Sequence, residues 1–157
     1  MVPTVQWHEG AVRLLDQSRL LGAVTFLDCR YVESVAVAIR ELKVRAAPAN
    51  GVTAAMGVAL GAQAISATEY ETFAEQLLRL CECLAATRPT AVNLFWAIER
   101  MKQKLSALRG EAVAAIKAAL LKESQAILEE DIALCKPMAR HGAELIQGGQ
   151  TILTHCN

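Results

Sequence analysis

AAPANGVTAAMGVALGAQAISAT, residues 46–68, contains no charged residue. By length it could cross a bilayer. Its bulk is Ala and Gly rather than Leu, Ile and Phe, however, and it holds Pro48, Asn50 and Gln63, a poor composition for a membrane span. The stretch is therefore read as a core helix that starts at Pro48, runs to about Ser66 and is apolar on nearly all faces. The rest of the chain must wrap it.

Working outward, the preceding segment carries Val32, Val35, Ile39 and Leu42 at i, i+3, i+7 and i+10, one face of a helix. Before that, VQWHEGAVRLLDQSRLLGAVTFLDCR has short apolar runs broken at Glu9-Gly10 and Gly22, with Val24, Thr25 and Phe26 as β-formers. It predicts a small antiparallel sheet. On the C-terminal side, Glu69 to Ala86 presents the stripe Tyr70, Phe73, Leu77, Leu80, Leu84. A further helix is expected behind Thr87-Arg88-Pro89-Thr90, with a Thr cap and the face Leu94, Ile98, Met101, Leu105.

From Glu111 to about Ile146 the helical pattern persists, with Leu120, Leu121, Ile127, Leu128, Ile132 and Met138 inside and residues 129–131 outside. Pro137 is expected to kink or split it. Gly148-Gly149 ends it, and Thr151 to Thr154 reads as a strand with no partner in this chain. The fold class is α+β, mostly α. Residues 1–147 form one domain, with the sheet over about 4–28 and helices over about 30–147, and residues 148–157 open a second.

Composition narrows the function. Sixteen Lys and Arg balance sixteen Asp and Glu, so no net field attracts nucleic acid or an acidic membrane. Hydrophobic residues make up 54% and aromatics 4%, which suits close-packed helices. Five cysteines, an odd number with no Cys-x-x-Cys pair, point to a reducing cytoplasm. The N-terminus has no secretory pattern. His8, His141 and His155 show no metal-ligand spacing, and there is no glycine-rich phosphate loop. No metal or cofactor is expected.

Two segments place an arginine beside a helix start. Arg45 precedes Pro48 in VRAAPANG, and Arg88 precedes the next helix but one in TRPTAVN. Free N–H groups at a helix start bind phosphate, and an arginine adds a two-pronged partner. The alternative for each is a solvated arginine, and spacing alone does not decide. Cys156 follows the terminal apolar run TILTHCN beside His155. A neighbouring cation lowers a thiol's pKa, but adjacent strand residues point to opposite faces.

AATRPTAVNLFWAIERM, Ala85 to Met101, closely resembles a segment of the 5-methylthioribose-1-phosphate isomerase family, the aldose–ketose isomerases of methionine salvage. VRAAPANGVTAAMGVAL is similar to that family's VRGAPAIG motif, and TILTHCN to its Thr-His-Cys-Asn segment. The likeness covers essentially the whole chain from near Val5. It implies the N-terminal part of a two-domain enzyme whose second domain is Rossmann-like, with TILTHCN as that domain's first strand.

The resemblance also implies that Arg45, Ala46, Ala47 and Arg88 bind the substrate phosphate. Cys156 then takes part in the proton or hydride shift between C1 and C2, and a family aspartate in the second domain acts as acid. The substrate is a sugar phosphate, and this chain alone is expected to be inactive. Two positions depart from the motif: Ala46 replaces a glycine, which would be strained at positive φ, and Asn50 replaces an apolar residue.

The same superfamily contains regulatory subunits of the initiation-factor guanine-exchange complex, which act as interaction modules, and ribose-1,5-bisphosphate isomerase. Cys156-Asn157 and the Thr-Arg-Pro-Thr-Ala-Val-Asn string favour the 5-methylthioribose-1-phosphate branch. An unpaired terminal strand would leave an exposed edge, so a homodimer or other self-association is expected.

Overall fold

The computed structural model describes residues 2–20 and 22–153. Three antiparallel strands come first: β1 (Val5–His8), β2 (Ala11–Leu15) and β3 (Phe26–Cys29), in the order β1-β2-β3. Val5 pairs with Leu14 and His8 with Ala11. The two residues between these strands, Glu9 and Gly10, have φ of 48° and 74°, as the tight hairpin turns that match strand twist require. Val12 pairs with Cys29 and Arg13 with Asp28. Arg13 Nε donates to Asp28 Oδ1 at 2.6 Å across that pair.

Five helices follow: α1 (Val32–Arg40), α2 (Ala47–Ala64), α3 (Tyr70–Ala85), α4 (Val92–Ala107) and α5 (Val113–Glu144). α2 is the axis of the domain. Every residue from Asn50 to Ala62 is buried, and the helix touches all four others as well as β1 and β2. Its Ala and Gly content lets those neighbours come close. At Gly51 an added Cβ would lie 2.9 Å from the Asn93 carbonyl oxygen, so the second turn of α2 and the first of α4 are in backbone contact. No described helix is long and apolar enough to cross a membrane.

The expected faces of α3 and α4 are found: Phe73, Leu77 and Leu84 are buried, as are Leu94, Ile98, Met101 and Leu105. Leu42 is a correction. α1 stops at Arg40, and Leu42 lies beyond it at φ +58°. There Leu42 N donates to Ile39 O and Lys43 N to Ala38 O, the paired bonds of a Schellman ending, whose left-handed residue is usually glycine. The apolar spacing ran past the helix.

Three further expectations change. α4 has no side-chain cap, its N-cap being Ala91. Thr87 Oγ1 instead donates to Leu84 O at 2.6 Å, closing α3. Pro137 does not split α5, which is continuous through it; the helix there is exposed on every face, so solvent can satisfy the carbonyl that Pro137 leaves without an N–H. Ile132 and Met138 are exposed, not inside, at 43% and 64%, because the helices that α5 packs on end before it does. Thr151 to Leu153 form no strand and are exposed; the remainder of that expected strand, with His155 and Cys156, lies outside the described residues.

Candidate functional site

The turn between α1 and α2 is built from β2. Asp16 caps a single 3₁₀ turn, Gln17–Arg19, by accepting from Ser18 N at 3.0 Å. Burial alone would raise the Asp16 carboxyl. Hydrogen bonds from Ser18 and the nearby Lys43 and Arg19 charges outweigh that and hold it below the ordinary aspartate value. Gln17 N donates to Lys43 O at 2.9 Å, and Arg45 N donates to Gln17 Oε1 at 2.6 Å. Val44, between them, is fully buried.

Arg45 is exposed. Its Nε donates to Leu42 O at 3.3 Å, and its two terminal nitrogens have no partner among the described residues. Ala46 is the N-cap of α2 at φ −66°, so alanine sits there without strain and the penalty expected at positive φ does not arise. α2 has no side-chain cap. The N–H groups of Ala46, Ala47 and Ala49 donate to no acceptor among the described residues, and Pro48 has none to offer. These are the orphan donors that make a helix start attractive to an anion.

Arg88 is half-buried in the loop leading into α4, and no carboxylate among the described residues pairs with it. Arg13, Arg79, Arg100 and Arg109 each sit on one. Arg40 and Arg140, also without an acidic partner, lie on exposed helix surface. The Gly51–Asn93 contact joins the start of α2 to the start of α4. Arg45 and Arg88 thus stand on the segments entering two uncapped helices that begin side by side.

Asn50 is buried in the first turn of α2. Its Nδ2 donates to Ala46 O at 3.0 Å and to Arg45 O at 3.4 Å, while its Oδ1 is buried without a partner. Sequence reasoning missed Gln17, which holds the Arg45 backbone from the far side of α1. No local pattern marks it, beyond a polar residue following Asp16 at the end of an apolar strand.

The described cysteines are all free thiols. Burial pushes Cys81 up to about 11 and also raises Cys29, so neither supplies a thiolate at neutral pH. Cys83 and Cys135 are exposed on α3 and α5. Among the described residues no group of three His, Cys, Asp or Glu side chains is arranged to hold a metal.

Comparison with known proteins gives the following. Methylthioribose-1-phosphate isomerase of Trichlorobacter lovleyi is 52% identical over 154 residues, which is 98% of this chain and 44% of that protein. The Geobacter metallireducens protein of the same name is 51% identical over the same shares. The chain therefore spans less than half the length of these relatives.

Among solved structures, 5-methylthioribose 1-phosphate isomerase from Pyrococcus horikoshii superposes with a TM-score of 0.89 at 34% identity, over 93% of this chain and 41% of that one. Translation initiation factor eIF-2B subunit delta from A. fulgidus gives 0.89 at 38% identity, over 100% and 45%. A model of the Initiation factor 2 subunit family matches residues 43–157, and the chain belongs to that family.

Proposed function

We propose that this chain is the substrate-phosphate-binding part of an aldose–ketose isomerase that converts 5-methylthioribose 1-phosphate to 5-methylthioribulose 1-phosphate. The observation that carries the reading is the pair of uncapped helix starts, α2 and α4, lying side by side with an unneutralised arginine on each approach. Arg45 and Arg88 supply charge, and the Ala46 and Ala47 N–H groups supply directed donors to the phosphate oxygens. The names of the relatives at about half identity support the same substrate.

A furanose phosphorylated at C1 has no free aldehyde. The ring oxygen must be protonated as the ring opens, and a proton or hydride must then move between C1 and C2. Cys156 is assigned to that transfer on its position in the Thr-His-Cys-Asn segment. The ring-oxygen acid belongs to a second, Rossmann-like unit starting near residue 148. A missing general acid typically costs about 10²–10⁴-fold, so the 157-residue chain is expected to bind substrate without turning it over. Free, partly exposed thiols suit a reducing cytoplasm. The exposed apolar side chains Leu134 and Met138 on α5, with Leu145 just past its end, favour self-association.

Calorimetric titration with 5-methylthioribose 1-phosphate tests the site. Arg45→Met and Arg88→Met are each expected to weaken binding at least about tenfold, the scale of a charged hydrogen bond. Wild-type affinity in both variants refutes it. A second reading, a regulatory or assembly module, is supported by the equal superposition on the eIF-2B subunit. Tighter binding of a nucleoside monophosphate than of the sugar phosphate would favour that reading.

A further inference from the structure

The loop that carries Arg45 is seated on the end of β2 by several bonds, and they divide into two kinds. Gln17 N to Lys43 O is a backbone bond, which any side chain at residue 17 preserves. Lys43 Nζ lies 3.6 Å from Asp16 Oδ2 and donates to Ser18 Oγ at 3.4 Å, again without the Gln17 side chain. Val44 is fully buried and anchors the loop in the core. These contacts fix residues 43 and 44.

One bond reaches further. Gln17 Oε1 accepts from Arg45 N at 2.6 Å, and it is the last link before the free N–H groups of Ala46 and Ala47. On the other side, Leu42 is held at φ +58°, a conformation costly for a residue with a Cβ, and its carbonyl receives Arg45 Nε. The Arg45 N–H is thus tied to Gln17, its carbonyl accepts at 3.4 Å from Asn50 Nδ2 of α2, and its Nε is tied to Leu42 O, leaving the guanidinium ends unbonded. Gln17 and Arg45 both line a cleft of about 560 Å³, with Ser18, Arg19, Leu20 and Ala23 around it. The strain at Leu42 and the long-range Gln17 bond converge on the same residue.

We propose that Gln17 is a positioning residue for the anion site: it holds Arg45 in the orientation that turns its guanidinium to a phosphate, and touches no ligand itself. This rests on the phosphate reading above. The side-chain amide suits the task, because its oxygen accepts the Arg45 N–H without bringing a negative charge near the anion. A glutamate there would accept the same bond and repel the ligand. Methionine matches glutamine in length and lacks the acceptor.

The test is a double-mutant cycle with Gln17→Met, Arg45→Met and the pair, read by calorimetric affinity for 5-methylthioribose 1-phosphate and by thermal melting. Gln17→Met is expected to weaken binding about tenfold, the effect of losing one bond that orients a charged group, with little change in Tm. The double variant should bind no more weakly than Arg45→Met alone, since Gln17 acts only through Arg45. Additive losses, or Gln17→Met binding within twofold of wild type while Arg45→Met is impaired, overturn the positioning role and leave the phosphate site standing.

If Arg45→Met itself binds like wild type, the positioning role fails; the site reading fails with it only when Arg88→Met also binds like wild type. A measurement on the unmutated chain covers a variant that does not fold: the Arg45 amide should be protected from hydrogen exchange. Exchange as fast as an exposed loop would overturn the proposal.

Discussion

Replacing Gly51 by alanine should destabilise the protein, although it lies inside a helix where that exchange usually helps. In an unencumbered helix Gly→Ala gains about 0.8–1 kcal/mol. Here the new Cβ would sit 2.9 Å from Asn93 O, 3.4 Å from Asn93 C and 3.5 Å from Asn93 Cβ. Relaxed carbon–oxygen contacts lie at about 3.3–3.6 Å, so α2 and α4 must separate by roughly half an ångström. The obstacle is backbone, which no rotamer change relieves. Overpacking of this kind costs about 1–3 kcal/mol, and after the propensity gain a net loss of about 1 kcal/mol remains.

For a chain of this length that lowers Tm by about 2–4 °C. Urea unfolding should show a lower midpoint with unchanged slope. Separating the two helix starts also moves Arg88 and Arg45 apart, so affinity for the sugar phosphate should fall more than stability does. Gly142→Ala is the control, because nothing lies within 4 Å of a Cβ there; it should raise helix content by circular dichroism. A Gly51→Ala protein that melts higher than wild type and binds equally well would refute the contact.

Asn50→Leu removes a buried acceptor that has no partner together with the Nδ2 bonds to Ala46 O and Arg45 O, so opposing terms of about 1 kcal/mol each should nearly cancel; a loss above about 2 kcal/mol in urea would mean Oδ1 is satisfied in solution. Asp16→Asn should cost about 2 kcal/mol at pH 7, where the native carboxylate accepts hydrogen bonds from the Ser18 N–H and hydroxyl and lies 3.6 Å from Lys43 Nζ. Because the folded Asp16 pKa is depressed below 3.8, its contribution is complete above that value and lost as pH falls through the folded pKa. The gap to wild type should therefore close on acidification below pH 3.8, and a gap that stays constant down to pH 2 would refute the assignment. Arg100→Met should lower stability by about 2 kcal/mol, since its guanidinium ties α4 to Glu123 and Glu130 of α5 at 2.7 Å each; a midpoint within error of wild type would show the clamp to be idle.

What sequence could and could not reveal follows from how local each cause is. α2 was legible because the absence of charge and Pro48 are properties of one stretch, as were the Glu9-Gly10 turn and the faces of α3 and α4. Leu42 was misread because periodicity carries no stop signal when the left-handed position is not glycine. Thr87 was misassigned because a threonine between two helices can serve either one, and only its 2.6 Å bond to Leu84 O decides. Ile132 and Met138 keep the apolar spacing after the helices beneath them have ended. Motif resemblance named Arg45 and Arg88, but their relation depends on the Gly51–Asn93 contact, forty-two residues apart in sequence. Gln17 lies twenty-eight residues from the amide it holds.

The direction of α5 ties these parts together. Lys117, near its start, donates to Gln63 O and Ile65 O at the end of α2, while Glu123 meets Lys104 and Glu130 meets Arg100 on α4. Rising numbers on α5 meet falling numbers on α4, so α5 runs antiparallel to both α2 and α4. The eighteen residues of α2 span about 27 Å at 1.5 Å per residue, which brings α5 level with the start of α2 near residue 135. That is where burial stops: every described residue from Ile132 onward is exposed. The last turns of α5 overhang the end of the bundle at which α2 and α4 begin, and the chain leaves from there. The described residues that follow α5 therefore leave the bundle at the end that carries Arg45 and Arg88, as the isomerase proposed above would need. Had α5 run parallel to α2, the chain would leave from the opposite end of the bundle, about 27 Å away.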